Sequence, residues 1–514
     1  MKMLVASFAA AAGALRAPVG TDVRYTLAVA GGERRALASA WLWLAIAALL
    51  ASGVFSILLV VARAPFLQPL LPTVDFFRVA LVVHVDLSVL VWFASFAGVL
   101  WSVAGTERWL PLAWSAFGLA VLGTFAMSAA PFVNPGAPVM ANYVPVIDSG
   151  LFMWGLVVFG TGFGLASLRA LAVPQKVGAW LAPDGALRFG LNASAVAAAM
   201  ALLALVWSWT AISPALDAKT YYELLFWGPG HVVQFCWSLL MMVAWLWLAT
   251  LSGARVPLSP RIVVLLFAIG LVAVFATPVI YLAWDVASVE HQKLFTWQMR
   301  FGGGLAIVPI AIAVLLGLAH AAPVSAAERP CRTALIASLV LFSAGGLIGF
   351  LIKGSDVRVP AHYHGSIVGI TLALMGTVML VADRLAANRR PMAHVGVVDA
   401  LAIGVGQAFA LIPGVPRSGA RADRASDGVA GPQARPADRS GTCRGDPRIA
   451  AGPAHGRLFG FGAGRQGGVP RANLPTLSSG ADAPSAGARE GQRPGAASQR
   501  IRCYLRSAPG FRGS

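Results

Sequence analysis

The chain has 514 residues, of which 58% are hydrophobic and 12% charged, against roughly 25% charged in a soluble domain. That balance excludes a soluble globular enzyme and predicts an integral membrane protein. The formal net charge of +18 would suit nucleic acid, but the arginines sit in short loops and a C-terminal tail, so no nucleic-acid partner is expected.

Residues 1–37 read as a cytoplasmic lead-in, with too short an apolar run for a cleaved signal. Apolar runs of about 20 residues then predict ten transmembrane helices. They lie near 38–62, 78–104, 110–132, 148–172, 187–213, 221–251, 261–284, 301–322, 331–352 and 359–383. Basic residues before the first run (Arg16, Arg24, Arg34, Arg35) fall on the same side as Arg108, Arg169, Lys176, Arg188, Arg255 and Arg261. The alternate loops carry fewer, and 133–146 carries none, which predicts a cytoplasmic N-terminus. The membrane itself is expected to be a bacterial inner membrane. Gly302-Gly303-Gly304 lacks the lysine of a phosphate loop and reads as a close helix contact. Residues 396–420 form a separate short segment. From 421 to 514 the chain is rich in Arg, Ala, Gly, Pro and Ser, with no apolar period, and predicts a disordered tail.

Histidines are the most informative polar residues within these runs. His84 lies about two turns into the second, His231 about three turns into the sixth, and His362 and His364 at the start of the tenth. All three helices start at the same face, so four of the chain's eight histidines share roughly one depth. At about 100° per residue, His362 and His364 point to opposite sides of their helix. They cannot share one metal ion, but each could hold the iron of a separate heme. The four cysteines, Cys236, Cys331, Cys443 and Cys503, form no C-x-x-C or C-x-x-C-H, so any heme would be held by coordination alone.

Three stretches, Leu81-Val82-Val83-His84-Val85-Asp86-Leu87, Phe226-Trp227-Gly228-Pro229-Gly230-His231 and Asp356-Val357-Arg358-Val359-Pro360-Ala361-His362-Tyr363-His364-Gly365, resemble subunit I of the heme-copper oxidase superfamily over about residues 38–390. The resemblance implies an all-α bundle of about ten helices holding two hemes. His84 and His364 would be axial ligands of a low-spin heme and His362 the proximal ligand of a high-spin heme open to gas. It implies a respiratory, cytochrome c oxidase-like oxidoreductase passing electrons to oxygen or nitric oxide. Membrane lipid, further respiratory subunits and a donor such as cytochrome c or a cupredoxin-like protein would be its partners.

The copper half of that resemblance is incomplete. His231 stands at the first copper position, but the adjacent histidine pair is replaced by Gln292 and Lys293, with His291 displaced by one residue. Phe235 and Val233 stand where a redox tyrosine and a proton-carrying glutamate are usual. A copper-free heme protein that binds gas or passes electrons is the alternative. Asp86 is expected to make a helix-packing bond, with a proton-relay role as its alternative, and His291, Lys353 and Arg358 to be solvated or to pair with propionates at the outer face.

A second, shorter resemblance covers residues 399–420. The run from Asp399 through Ile412-Pro413-Gly414-Val415-Pro416-Arg417-Ser418-Gly419 to Ala420 is similar to the second repeat of undecaprenyl-diphosphate phosphatases. That family's first half, with its catalytic glutamates, is absent, Pro416 stands where serine is usual and Arg421 where threonine is expected. This resemblance implies an inactive phosphatase remnant, and a lipid-pyrophosphate assay tests it.

Overall fold

The computed structural model describes residues 23–385 apart from 30, 65, 68–70, 72–74, 179–181, 326–327 and 354–355, and for 379–385 only the backbone. Residues 1–22 of the expected 1–37 lead-in, the 396–420 segment and the tail from 421 lie outside the described residues.

The described chain is helical and spans a membrane many times. In chain order, α1 runs over Gly32–Val61, α2 over Phe76–Val103, α3 over Leu110–Val133, α4 over Gly150–Ala172 and α5 over Pro183–Ala211. Then follow α6 over Ala218–Leu251, α7 over Pro260–Ala283, α8 over Val289–Ala319 and α9 over Arg329–Phe350. Among the described residues these nine are long and apolar enough to cross a bilayer. The tenth expected span is α10, Arg358–Leu385. The expected all-α polytopic membrane fold is therefore the observed one.

Helix starts are set by side chains that satisfy the free N–H groups of the first turn. Ser149, Asp217, Ser259 and Ser288 accept from the backbone N–H of Phe152, Thr220, Ile262 and His291 at the starts of α4, α6, α7 and α8. The last cap corrects one boundary. The eighth span begins at Val289 rather than near 301, so His291, Gln292 and Lys293 are helical. Their polarity hides the start of the helix from a search for apolar runs.

Two spans are locally rewound. In α2, Asp86–Val91 forms a π-helical turn that begins two residues after His84. The carbonyl of His84 instead accepts from Ser88 Oγ at 2.7 Å and Ser52 Oγ at 3.0 Å, so hydroxyl donors compensate the altered ladder. In α7, Ala273–Phe275 is a 3₁₀ turn, where the Ala273 carbonyl accepts from Gln298 Nε2 of α8 at 2.7 Å.

The central helix is α6, with 83% of its apolar window buried against 28% for α1. The remaining helices pair closely, α3 with α4, α5 with α6, and α9 with α10. Small residues set these approaches because no water-driven force separates apolar helix from lipid. A Cβ on Gly162 would meet the Ala116 carbonyl of α3 at 2.6 Å, and one on Gly369 the Phe342 nitrogen of α9 at 2.6 Å. A Cβ on Gly302 would meet Ala273 at 2.5 Å, as expected of a close helix contact.

Between α3 and α4 the chain forms a hairpin absent from the sequence reading. β1 (Ala137–Val139) pairs antiparallel with β2 (Val146–Asp148) in the register Ala137↔Asp148, Pro138↔Ile147 and Val139↔Val146. Its base is tied by Ser149 Oγ, which donates to Asn134 Oδ1 at 2.8 Å. The hairpin packs on α2, α4 and α6.

Candidate functional site

The hairpin, the starts of α2, α6, α8 and α10 and the end of α7 belong to one end of the bundle. The four expected site histidines lie within the first four turns of their helices at that end, consistent with a common level. What each imidazole is tied to separates them.

His84 joins α2 to α1. Its Nδ1–H donates to the Ser52 carbonyl at 2.9 Å, while Ser52 Oγ lies 2.9 Å from the same nitrogen. His362 joins α10 to α9, with Nδ1–H donating to the Gly345 carbonyl at 2.7 Å and its ring packed where a Cβ on Gly349 would come within 2.8 Å. A carbonyl only accepts, so the proton sits on Nδ1 and the lone pair on Nε2. In both residues Nε2 has no hydrogen bond among the described residues. His364 donates from Nδ1 to Pro360, four residues back on its own helix, and its side of α10 is exposed. His320 makes the same bond to Leu316 at the exposed end of α8, so a tether four residues back is an ordinary helix habit. The tethers of His84 and His362 cross between helices and fix ring orientation more specifically.

His231 is different. Its Nδ1–H donates to the Trp227 carbonyl at 2.7 Å, and its Nε2 accepts from the phenol of Tyr143 at 3.0 Å. Tyr143 comes from the hairpin, 88 residues away, and its ring lies 4.9 Å from His231 and 6.0 Å from Trp227. Burial, with Tyr363 and Glu223 nearby, pushes the Tyr143 phenol well above its ordinary value. Because the imidazole proton is committed to Trp227, the phenol is the donor to Nε2. Asn142, the preceding residue, donates its backbone N–H to Glu223 of α6 at 3.0 Å and its side-chain amide to the other carboxylate oxygen.

Two expectations about neighbouring polar groups are corrected. His291 is fully buried rather than solvated, between Tyr281 and Phe295 with ring centroids 4.9 and 4.8 Å away, and neither ring nitrogen has a partner among the described residues. Asp86 is 1% exposed, yet neither carboxylate oxygen makes the expected helix-packing bond among the described residues. Arg358 is paired with Asp356, its Nε 2.9 Å from Oδ2, and its side chain is partly open to solvent. Lys353 is exposed, as a solvated residue should be.

A copper ion does not fit at His231, because both its ring nitrogens are engaged and no group of three or more His, Cys, Asp or Glu among the described residues could hold an ion. A heme iron is compatible with His84, His362 and His364, whose Nε2 lone pairs are uncommitted.

Comparison with known proteins gives two different likenesses. Residues 274–422 match the family model described as Bacitracin resistance protein BacA. An undecaprenyl-diphosphatase of Anaeromyxobacter dehalogenans (strain 2CP-1 / ATCC BAA-258) is 38% identical over 113 residues, 22% of this chain and 36% of that protein. The chain thus spans about a third of that relative. An uncharacterized protein of Rickettsia prowazekii (strain Madrid E) is 27% identical over 404 residues, 67% of this chain and 77% of that one. Among solved structures, a heme-copper terminal oxidase determined as a dimer by cryo-EM superposes with a TM-score of 0.51 at 15% identity, covering 74% of this chain and 72% of that one. At that identity the likeness is one of fold.

These findings correct the expected activity. The named enzymes similar to this chain in sequence are undecaprenyl-diphosphatases, and the oxidase contributes a shared bundle only. A cytochrome c oxidase-like oxidoreductase of aerobic respiration, passing electrons to oxygen or nitric oxide, is not supported. Its implied respiratory subunits and electron donor fall with it. The incomplete copper site is the physical counterpart of that correction.

Proposed function

We propose that the chain is a multi-pass protein of the bacterial inner membrane, with a cytoplasmic N-terminus, that acts on a polyprenyl diphosphate lipid. The observation that carries this reading is the match of residues 274–422 to the BacA family, joined by the similarity to named undecaprenyl-diphosphatases. The reaction class is hydrolysis of the terminal phosphate from a lipid diphosphate, a reading that replaces the expectation of an inactive remnant and requires turnover without the glutamates of that family's first half. Within the matched stretch, Arg417 follows Pro413-Gly414-Val415-Pro416, and a guanidinium is the side chain best suited to hold a phosphate through paired hydrogen bonds. The orientation rests on the excess of Arg and Lys in alternate loops.

The test uses the full chain in vesicles containing undecaprenyl diphosphate. Phosphate release by the wild type and its loss in Arg417→Ala are expected. Equal release by the variant would remove Arg417 from the reading, and no release by either would remove the hydrolase itself.

A second reading rests on a different observation, the two interhelical imidazole tethers. We propose that His84, His362 and His364 hold heme in this bundle, where the group would supply a redox-active or gas-binding iron. Heme quantified per polypeptide in the purified chain is expected to fall in His362→Ala. A heme-free wild-type chain, purified from cells supplied with heme precursor, would sink this reading and leave the lipid-diphosphate reading intact.

A further inference from the structure

We infer that His231 is the anchor of a metal-free clasp, in which the β1–β2 hairpin is fastened over the end of α6 by Tyr143. The fold likeness would lead one to look for a metal at this histidine. The hydrogen bonds argue otherwise. Trp227 takes the Nδ1 proton at 2.7 Å and Tyr143 occupies the Nε2 lone pair at 3.0 Å, so a metal could bind only by displacing the phenol.

The surrounding chain is built for the phenol. Gly230, next to His231, leaves the space that the tyrosine fills, since a Cβ there would lie 2.2 Å from Tyr143 Cγ and 2.8 Å from its Cβ. Those atoms are at the root of the side chain, so a rotamer change alone cannot relieve the contact. One residue earlier in the hairpin, Asn142 makes its two bonds to Glu223 of α6. Glu223 and His231 are eight residues apart, about 80° around α6 and about 12 Å along it. Tyr143 and Asn142 therefore fasten the hairpin at two points along one helix. The other anchor is the Asn134–Ser149 bond at the hairpin base.

Phe295 packs against both neighbouring imidazoles, its ring 6.3 Å from His231 and 4.8 Å from His291. Gln292 is engaged through its backbone, its carbonyl accepting from Trp227 Nε1 at 3.1 Å. Trp227 thus links both neighbours of the clasp.

The experiment combines hydrogen exchange of residues 137–148 with copper analysis on the purified full chain. Copper(I) is offered in excess and unbound metal removed before counting. The wild type is expected to retain no stoichiometric copper. Tyr143→Phe removes only the hydroxyl, and exchange in the hairpin is expected to rise about two- to tenfold, the range set by one net hydrogen bond. His231→Leu should produce a comparable rise, and the double variant little more, because both remove the same bond. Glu223→Gln leaves His231 untouched and reads the second tie if His231→Leu does not fold. Stoichiometric copper in the wild type that disappears in His231→Leu would overturn the inference. Unchanged hairpin exchange in Tyr143→Phe would overturn it equally.

Discussion

His84 and His362 are tied across helix pairs, His364 and His320 only to their own helices, and His231 to a hairpin. Residue type alone cannot distinguish these three situations. The sequence placed His84, His231, His362 and His364 near one end of the bundle because their distances from the helix starts are readable by counting. It could not foresee Tyr143, because the contact joins residues 88 apart through a loop with no apolar period. The one available signal was Gly230 beside His231, a place where backbone space is kept free. Gly230→Ala is therefore expected to displace Tyr143 and cost about 1–3 kcal/mol, the usual penalty for overpacking. Thermal unfolding in detergent and hairpin exchange should change together in this variant, and a stability change without altered exchange would contradict the placement of Tyr143.

Elements were legible in proportion to their apolar continuity. The spans from α1 to α7 and α9 were found to within several residues because lipid-facing helices leave long apolar runs. The start of α8 was missed because Glu290, His291, Gln292, Lys293 and Arg300 interrupt hydropathy over Val289–Gly302. Its cap was written in the sequence as Ser288, but a lone serine before a polar stretch is a weak sign. The rewound turns at Asp86–Val91 and Ala273–Phe275 depend on donors from other helices, Ser52 in one case and Gln298 in the other, and so could not be read locally. The hairpin is too short to announce itself. Its stability at the junction with α4 depends on Ser149, which both caps that helix and holds Asn134. Ser149→Ala should cost about 1 kcal/mol in unfolding free energy, as for loss of other N-caps. Enhanced exchange confined to residues 134–152 would accompany it, whereas a uniform rise across the bundle would assign Ser149 a different role.

At the level of the whole molecule, one chain combines a bundle shared with a terminal oxidase and a C-terminal stretch matched by the BacA family. The bundle was legible from the spacing of its apolar runs and histidines. Function was not, because the same arrangement of helices can serve different chemistries and the activity must be argued from particular groups. The short resemblance at 399–420 proved the better guide to the named relatives, although it covers far less of the chain than the histidine stretches. That contrast sets the decisive measurement, which is phosphate release from undecaprenyl diphosphate by the purified full chain reconstituted in vesicles. Release that is proportional to protein and abolished in Arg417→Ala is the predicted result. No release above protein-free vesicles, from a chain shown to be folded by its thermal unfolding transition, would contradict the proposed hydrolysis.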